Sequence, residues 1–317
     1  MTAGTLVLAC ALDAMIGDPR WLPHPVRLMG RAIAWYEQGA RRVVADRTSD
    51  LVAGIVLAVG LPAVSYGVSW LAIDLSGRIH ETVGKGVEVF LAFTTVAARD
   101  LADHASAVWR ALESGSLEDA RTAVARIVGR DTAQLSEGEV VRATVETVAE
   151  SMSDGIVAPL FFAVLGGAPL ALVYKAINTL DSMIGHREPP YRHFGWASAR
   201  LDDVANWVPA RATALLIAGA AGLVLWDTAS SQRAWRLFLR DGKKHPSPNS
   251  GRPEAAMAGA LGVRLGGTNY YDGVPAERPA LGEPLRSLSP PCISEALRVM
   301  WTVFGLAALL ASGLLLL

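Results

Sequence analysis

Glu139, Arg142, Glu146, Glu150 and Ser153 follow one another at spacings of three or four residues, so on a helix they line one stripe. The stripe leads to Asp154 and then into an uncharged run, Ile156–Tyr174. Two carboxylates a turn apart can hold a hard cation such as Mg²⁺, which takes oxygen ligands and commonly binds substrate phosphates as well. A solvated helix face accounts for the same pattern equally well. Directly beyond the run, Lys175, Asn178, Asp181 and Ser182 share one side of a helix, followed by His186 and Arg187. Lys and Asn donate to anions, and Asp can ligate a metal or act as a base. A snorkelling lysine beside a capping residue would look similar. Ionisable groups held against both ends of a membrane-length run are costly unless they are used, which points to chemistry or transport at a membrane surface.

Three further polar sets have the same character. Arg200, Asp202, Asp203 and Asn206 stand just before another apolar run. The segment from Asp18 to Arg27, with Arg20 and His24, is stiffened by three prolines, so its polar groups have little freedom; a rigid turn between membrane helices is the plainer reading. The segment 245–254 brings Asn249, Ser250 and Arg252 to a predicted helix start, with Pro253 in the first turn. A helix N-terminus preceded by Ser, Gly and Arg suits an anion, phosphate above all.

The elements that must position these groups are mostly apolar helices. Of 317 residues, 51% are hydrophobic and 19% charged, and mean hydropathy is +0.31. The charged share lies below the roughly 25% of soluble domains, and the apolar excess comes in blocks. Candidate membrane segments are 1–16, 51–73, 82–98, 156–174, 204–226 and 299–317, several approaching the ~20 residues that cross a bilayer core. The segment 82–98 carries Lys85 and Glu88 and reads as a tilted span or an interfacial helix. No Lys or Arg precedes the apolar stretch of 1–12, so it reads as a retained membrane-embedded helix rather than a cleaved signal. The expected fold is therefore all-α: a polytopic integral membrane protein with about four to six membrane helices, amphipathic helices and long polar loops, forming a single membrane-embedded catalytic domain.

Between the apolar blocks, Arg99–Leu112 has amphipathic spacing, and Ser116 with Asp119 and Ser136 with Glu139 are helix-start pairs. β structure is confined to a turn-rich stretch around Gly266–Gly273. Two cysteines, Cys10 and Cys292, make neither a disulfide framework nor a metal site. A net charge of −1 gives no basic field for nucleic acid. The 29 Lys and Arg residues are spread over every polar segment and choose no membrane face. There is no Walker-type phosphate loop.

At these same segments the sequence resembles the adenosylcobinamide-phosphate synthase family of cobalamin biosynthesis, known as CobD/CbiB. The matching stretches are LDAMIGDPRWLPHPVRLMG (12–30), VGRDTAQL (128–135), ETVAESMSDGIVAPL (146–160), YKAINTLDSMIGHR (174–187), ARLDDVANWVPAR (199–211) and HPSPNSGRPEAAMAGALGVRLGG (245–267), in order over nearly the whole chain. Ser151 departs from the family pattern, where Asn is common. The resemblance implies a multi-pass protein of the cell inner membrane. It implies an ATP-dependent ligase joining a propionate carboxylate of adenosylcobyric acid to (R)-1-amino-2-propanol or its O-phosphate as an amide. It also implies Mg²⁺ and ATP, a corrinoid and an aminopropanol substrate, the lipid bilayer and other corrinoid-pathway enzymes as partners, and no nucleic acid.

Such chemistry needs an activated carboxylate, with cations offsetting phosphate charge. Glu146, Glu150, Asp154 and Asp181 are accordingly expected at a metal. Lys175, Arg187 and Arg252 are expected to stabilise a phosphate or acyl phosphate, with Lys175, Asp181, Asp202 and Asp203 counted as catalytic. Asp202 and Asp203 are expected to handle metal or amine. Asp18, Arg20, His24, Arg130, Asp131, Asn178, Ser182, Arg200, Asn249 and Ser250 are expected to bind substrate or phosphate. A transporter or non-catalytic scaffold is the alternative, because a Gly/Pro-interrupted span beside ionisable residues also suits transport. If the polar groups at both ends of Ile156–Tyr174 belong to one site, it should not be a plain crossing helix: either its Gly166-Gly167-Ala168-Pro169 break lets it dip and return, or bundle packing brings its ends to a shared cavity.

Overall fold

In the computed structural model, residues 1–19, 21–43, 46–186 and 188–317 are described. In chain order the helices are α1 (Ala3–Ile16), α2 (Pro25–Val43), α3 (Arg47–Ile79), α4 (Glu81–Phe93), α5 (Ala98–Glu113), α6 (Leu117–Val124) and α7 (Glu137–Met152). A π-helical turn, Ser153–Val157, joins α7 to α8 (Ala158–Ile184), followed by α9 (Trp196–Ala205), α10 (Trp207–Val224), α11 (Thr228–Asp241) and α12 (Gly251–Leu261). An antiparallel hairpin of β1 (Arg264–Tyr271) and β2 (Val274–Gly282) precedes α13 (Pro291–Leu314). The protein is all-α apart from this hairpin, which runs past the Gly266–Gly273 stretch that signalled it.

Local chemistry accounts for the boundaries. Ser116 accepts from the Asp119 amide at 3.2 Å to start α6, and Glu139 reaches back to the Ser136 amide at 2.8 Å to start α7. The amphipathic run at 99–112 becomes α5, burying Leu101, Ala105, Val108 and Leu112.

Among the described residues, four helical runs are long and apolar enough to cross a membrane: Arg47–Ile79, Glu137–Ile184, Trp207–Val224 and Pro291–Leu314. The first has 33 residues, roughly 50 Å at 1.5 Å per residue, and only 17% of its most apolar stretch is buried in the protein. The helix within 82–98 is too short to cross a bilayer core by itself, which suits the interfacial reading. α4 has 13 residues, roughly 20 Å, because the hydroxyls of Thr94 and Thr95 turn back onto the carbonyls of Leu91 and Ala92 at 2.8 and 2.7 Å, where the helix ends. α1, with 14 residues, is also shorter than a crossing. The last span begins at Pro291, ahead of the uncharged run 299–317, and the 204–226 block begins its span at Trp207, after Asn206 caps α9.

The segment 156–174 is broken where the sequence indicates. Gly166 has φ −157° and ψ 25°, and Gly167 has φ 70° and ψ −167°, a conformation populated essentially by glycine alone. The piece before the break, 158–165, spans only about 12 Å. Beyond it, Ala168 packs with Ala9, Val89, Ala92 and Phe93; Leu172 and Ala176 pack with Met29; Leu180 and Ile184 pack with Ile33, Leu57 and Phe194. The second piece is thus sheathed by α1, α2, α3 and α4. Interrupted helices are tolerated where protein covers the loosened backbone.

The chain, expected from sequence as one domain, sorts into two compact units. One holds Met1–Ala97, Ala158–Asn206 and Ala308–Leu317; the other holds Ala98–Val157 and Trp207–Ala307. In the first, α8 packs on α2, α3, α4 and α9. In the second, α12 is the hub, packed on α7, α10, α11 and the hairpin. Its sequence explains this: GRPEAAMAGAL is mostly small residues, and every one but Arg252 is buried.

Candidate functional site

In the second unit, charges from four separate stretches meet around α7 and α12. Arg130 forms a buried ion pair with Glu146 and also donates to the Asn269 side-chain carbonyl. The other oxygen of Glu146 accepts the Gly266 amide at 2.8 Å. Arg142, one turn earlier on α7, donates to the Gly266 carbonyl and, at 3.0 Å each, to the Thr268 carbonyl and Asn269 Oδ1. Gly266 makes this docking possible. It has φ 80° at a bulge in the hairpin, and a Cβ there would lie 2.1 Å from the Pro279 carbonyl oxygen. Asp131 holds the hairpin turn, accepting from the amides of Asp272 and Gly273 at 3.3 and 2.8 Å.

The loop before α12 closes the other side. The Ser250 hydroxyl donates to Glu150 Oε1 at 2.7 Å. Ser247 Oγ accepts the amides of Asn249 and Ser250 at 3.2 and 3.3 Å. The Ser247 amide donates to His245 Nδ1 at 3.0 Å, which places the imidazole proton on Nε2. Burial pushes His245 below its ordinary pKa, with Glu150 pulling the other way. Burial pushes the Glu254 carboxyl well above its ordinary value, and the nearby charges of Glu150 and Glu146 push the same way. Glu254 is therefore biased toward its protonated form, set among ionisable neighbours. Arg211 of α10 stacks on Trp207, 4.1 Å from the ring centroid, and reaches Asn249 Oδ1 at 3.4 Å. Arg252 lies over Phe238 at 5.6 Å.

Of the expected residues, this junction gathers Arg130, Asp131, Glu146, Glu150, Asn249, Ser250 and Arg252. The stripe on α7 is not a solvated face, since Arg142 and Glu146 are buried. Glu146 is committed to Arg130 and Gly266 rather than offered to a cation, and Asp131 spends both oxygens on the hairpin turn. Asp154 lies in the π-helical turn. Among the described residues, no group of three or more His, Cys, Asp or Glu side chains is gathered for a metal ion.

The first unit carries a second polar set on α8 and α9. The Tyr174 hydroxyl donates to Asn206 Oδ1 at 3.0 Å, and Asn206 Nδ2 donates to both oxygens of Asp202 at 3.1 Å. Arg200 pairs with Asp203 at 3.3 Å. Lys175, Asn178, Asp181 and Ser182 lie on α8, where the Ser182 hydroxyl bonds its own helix at the Asn178 carbonyl, 2.9 Å away. Near the N-terminus, the buried His24 pairs with Asp18 at 3.1 Å. Arg20 and Arg187 lie outside the described residues.

Sequence reasoning placed Arg142 and Asn206 in candidate polar sets and His245 and Glu254 at the two ends of a candidate loop, but gave none of the four a role, and it did not single out Asn269. Glu254 had a usable signal: an acid in the first turn of a helix otherwise built from small apolar residues must face into protein. Asn269, in a turn-rich stretch, gave none.

A family model described as CobD/Cbib protein matches residues 6–300. The chain is 50% identical over 311 residues to "Cobalamin biosynthesis protein CobD" of Geobacter metallireducens, covering 98% of this chain and 96% of the relative. It is 47% identical over 313 residues to the protein of the same name in Klebsiella pneumoniae, with 99% and 97% covered. It is 46% identical over 307 residues to "Cobalamin biosynthesis protein CbiB" of Salmonella typhimurium, with 97% and 95% covered. No solved structure matches.

Proposed function

Because the chain belongs to the CobD/CbiB family of cobalamin biosynthesis, we propose that it is an adenosylcobinamide-phosphate synthase. In this reading it is an inner-membrane ligase that joins a corrinoid propionate to aminopropanol or its O-phosphate, with ATP as co-substrate. The observation that carries the reading is the Ser250–Glu150 bond beside the Arg130–Glu146 pair, which ties together three motifs distant in sequence (128–135, 146–160 and 245–267).

The parts suit activation of a carboxylate. Amide formation needs the carboxyl oxygen converted to a leaving group, the anionic charge offset, and a proton taken from the attacking amine. Arg211 and Arg252 supply cationic charge beside the start of α12, whose N-terminus adds a partial positive field. His245, with its proton on Nε2, is a hydrogen-bond donor to an oxyanion, and Glu254, which burial biases toward its protonated form, is a second source of a proton. Glu150 keeps one oxygen beyond its bond to Ser250, which suits orientation or deprotonation of an amine. The donor set suits Mg²⁺ that arrives on the nucleotide and keeps its own waters, since such ions bind through one or two carboxylates plus substrate phosphates. When bound, the ion would neutralise phosphate charge. On α8 and α9, Asp202, oriented by Asn206, and Asp203 suit recognition of an ammonium group. Lys175 suits an anionic one, and Asp181 remains a candidate carboxylate.

Purified protein in detergent tests the reading. Given adenosylcobyric acid, the amine substrate and Mg-ATP, with no membrane gradient, it should form the amide with stoichiometric loss of ATP. A protein that yields no amide, yet moves corrinoid across a sealed vesicle, would be a transporter instead.

A further inference from the structure

A second charged cavity lies away from the junction just described. It has a volume of about 440 Å³ and is lined by the end of α10, the start of α11, the end of α12, the loop after β2 and the start of α13. Val224 closes the α10 span, and Arg298 stands directly before the uncharged run 299–317 of α13. Both line this cavity, so the α10 span ends and the uncharged part of α13 begins at its level. Ends of apolar spans of this kind mark where a hydrocarbon slab would stop. Trp226 and Leu285, also in the lining, are 92% and 61% exposed. Indole rings concentrate at this depth of a membrane protein.

Three arginines face the space: Arg233, Arg286 and Arg298. Arg286 is paired with Glu295 and also donates to the Leu261 carbonyl at 2.7 Å. Arg233 pairs with Asp227 at 3.4 Å. The guanidinium of Arg298 has no ion pair or hydrogen bond among the described residues. The lining is thus three cations against two carboxylates, with the surplus charge on the residue that adjoins the apolar helix.

We propose that this cavity binds the phosphate of an anionic phospholipid headgroup, with the acyl chains lying along α10 and α13. Guanidinium groups hold phosphate oxygens in a matched fork, and basic pockets between membrane helices take anionic lipid heads. The volume is ample for a phosphodiester with its glycerol. A soluble phosphate shares the charge chemistry but would gain nothing from the flanking apolar helix ends, so the lipid is the occupant. The inference uses none of the residues assigned to ligation and stands apart from that assignment.

Native mass spectrometry of the full chain in detergent, offered dioleoyl phosphatidylglycerol or dioleoyl phosphatidylcholine, tests it. The expected result is retention of phosphatidylglycerol over phosphatidylcholine, unaffected by millimolar inorganic phosphate. Arg298→Gln should lower phosphatidylglycerol occupancy about fivefold, the worth of roughly one juxtamembrane charge, and Arg298→Lys should restore most of it. Arg298 is exposed and its guanidinium is unbonded, so folding is not at stake in either variant. Equal retention of the two lipids, an unchanged Arg298→Gln, or displacement by inorganic phosphate would each overturn the proposal.

Discussion

The junction around α7 and α12 fastens its charges largely to backbone, whereas the polar set on α8 and α9 strings side chain to side chain. In the junction, Glu146 and Arg142 clip the two sides of the Gly266 peptide, and Asp131 takes two amides of the hairpin turn. On α8 and α9 the chain runs Tyr174 to Asn206 to Asp202, side chain to side chain. Backbone-anchored charges do not reorganise when charge develops on a substrate, which is what electrostatic stabilisation of a transition state requires. Side-chain strings can adapt to a ligand that arrives. The contrast makes the first region the better candidate for the proposed reacting centre.

The largest effect that could break this contrast comes from the ion pair. Arg130→Ala leaves Glu146 buried with its countercharge gone and should cost about 3–5 kcal/mol. It should be read as a large fall in the unfolding midpoint by tryptophan fluorescence in detergent. A fall of under about 1 kcal/mol would mean the junction is not held by that pair. Next in size, Lys175→Met should reduce kcat/KM for amide formation by roughly 100-fold, near 2.7 kcal/mol, at unchanged midpoint; a wild-type rate would remove Lys175 from the reaction. Gly167→Ala must adopt a positive φ at the break in α8 and should destabilise by about 1–3 kcal/mol. If it is neutral, the break is not strained in solution.

The smallest effect concerns pH. Burial raises the pKa of Glu254 in the folded protein, so the folded state keeps a proton that the unfolded chain releases above the ordinary carboxyl range. That contribution is full below the unfolded pKa and declines as pH rises toward the folded one. Glu254→Gln should therefore flatten the loss of stability on the alkaline side of that range, by at most about 1.4 kcal/mol per pH unit. Parallel curves for the two proteins would show Glu254 to be ionised in the fold.

Much of this architecture was legible from residues. Long uncharged runs announce α3, α10 and α13, and Gly166-Gly167-Ala168-Pro169 announces the break in α8, because no side chain tolerates that backbone. The length of α4 was not legible: 82–98 is apolar enough, and only the return of Thr94 and Thr95 to their own helix ends it early. The site was half legible. Spacing put Glu146 and Glu150 on one stripe, yet spacing along a helix says nothing of partners brought by loops. Arg130 and Gly266 therefore claimed Glu146 unseen. Glu254 carried a signal in its apolar surroundings but not its partners, since its burial depends on α7, α10, α11 and the hairpin packing against α12.

Glu150 carries the most direct test, because its bond to Ser250 joins the motifs on which the reading rests. Single-turnover amide formation by Glu150→Gln, which keeps an acceptor for the Ser250 hydroxyl but loses the charge, should fall roughly 100-fold at an unchanged unfolding midpoint. Amide formation at the wild-type rate would contradict the assignment of the α7–α12 junction as the reacting centre.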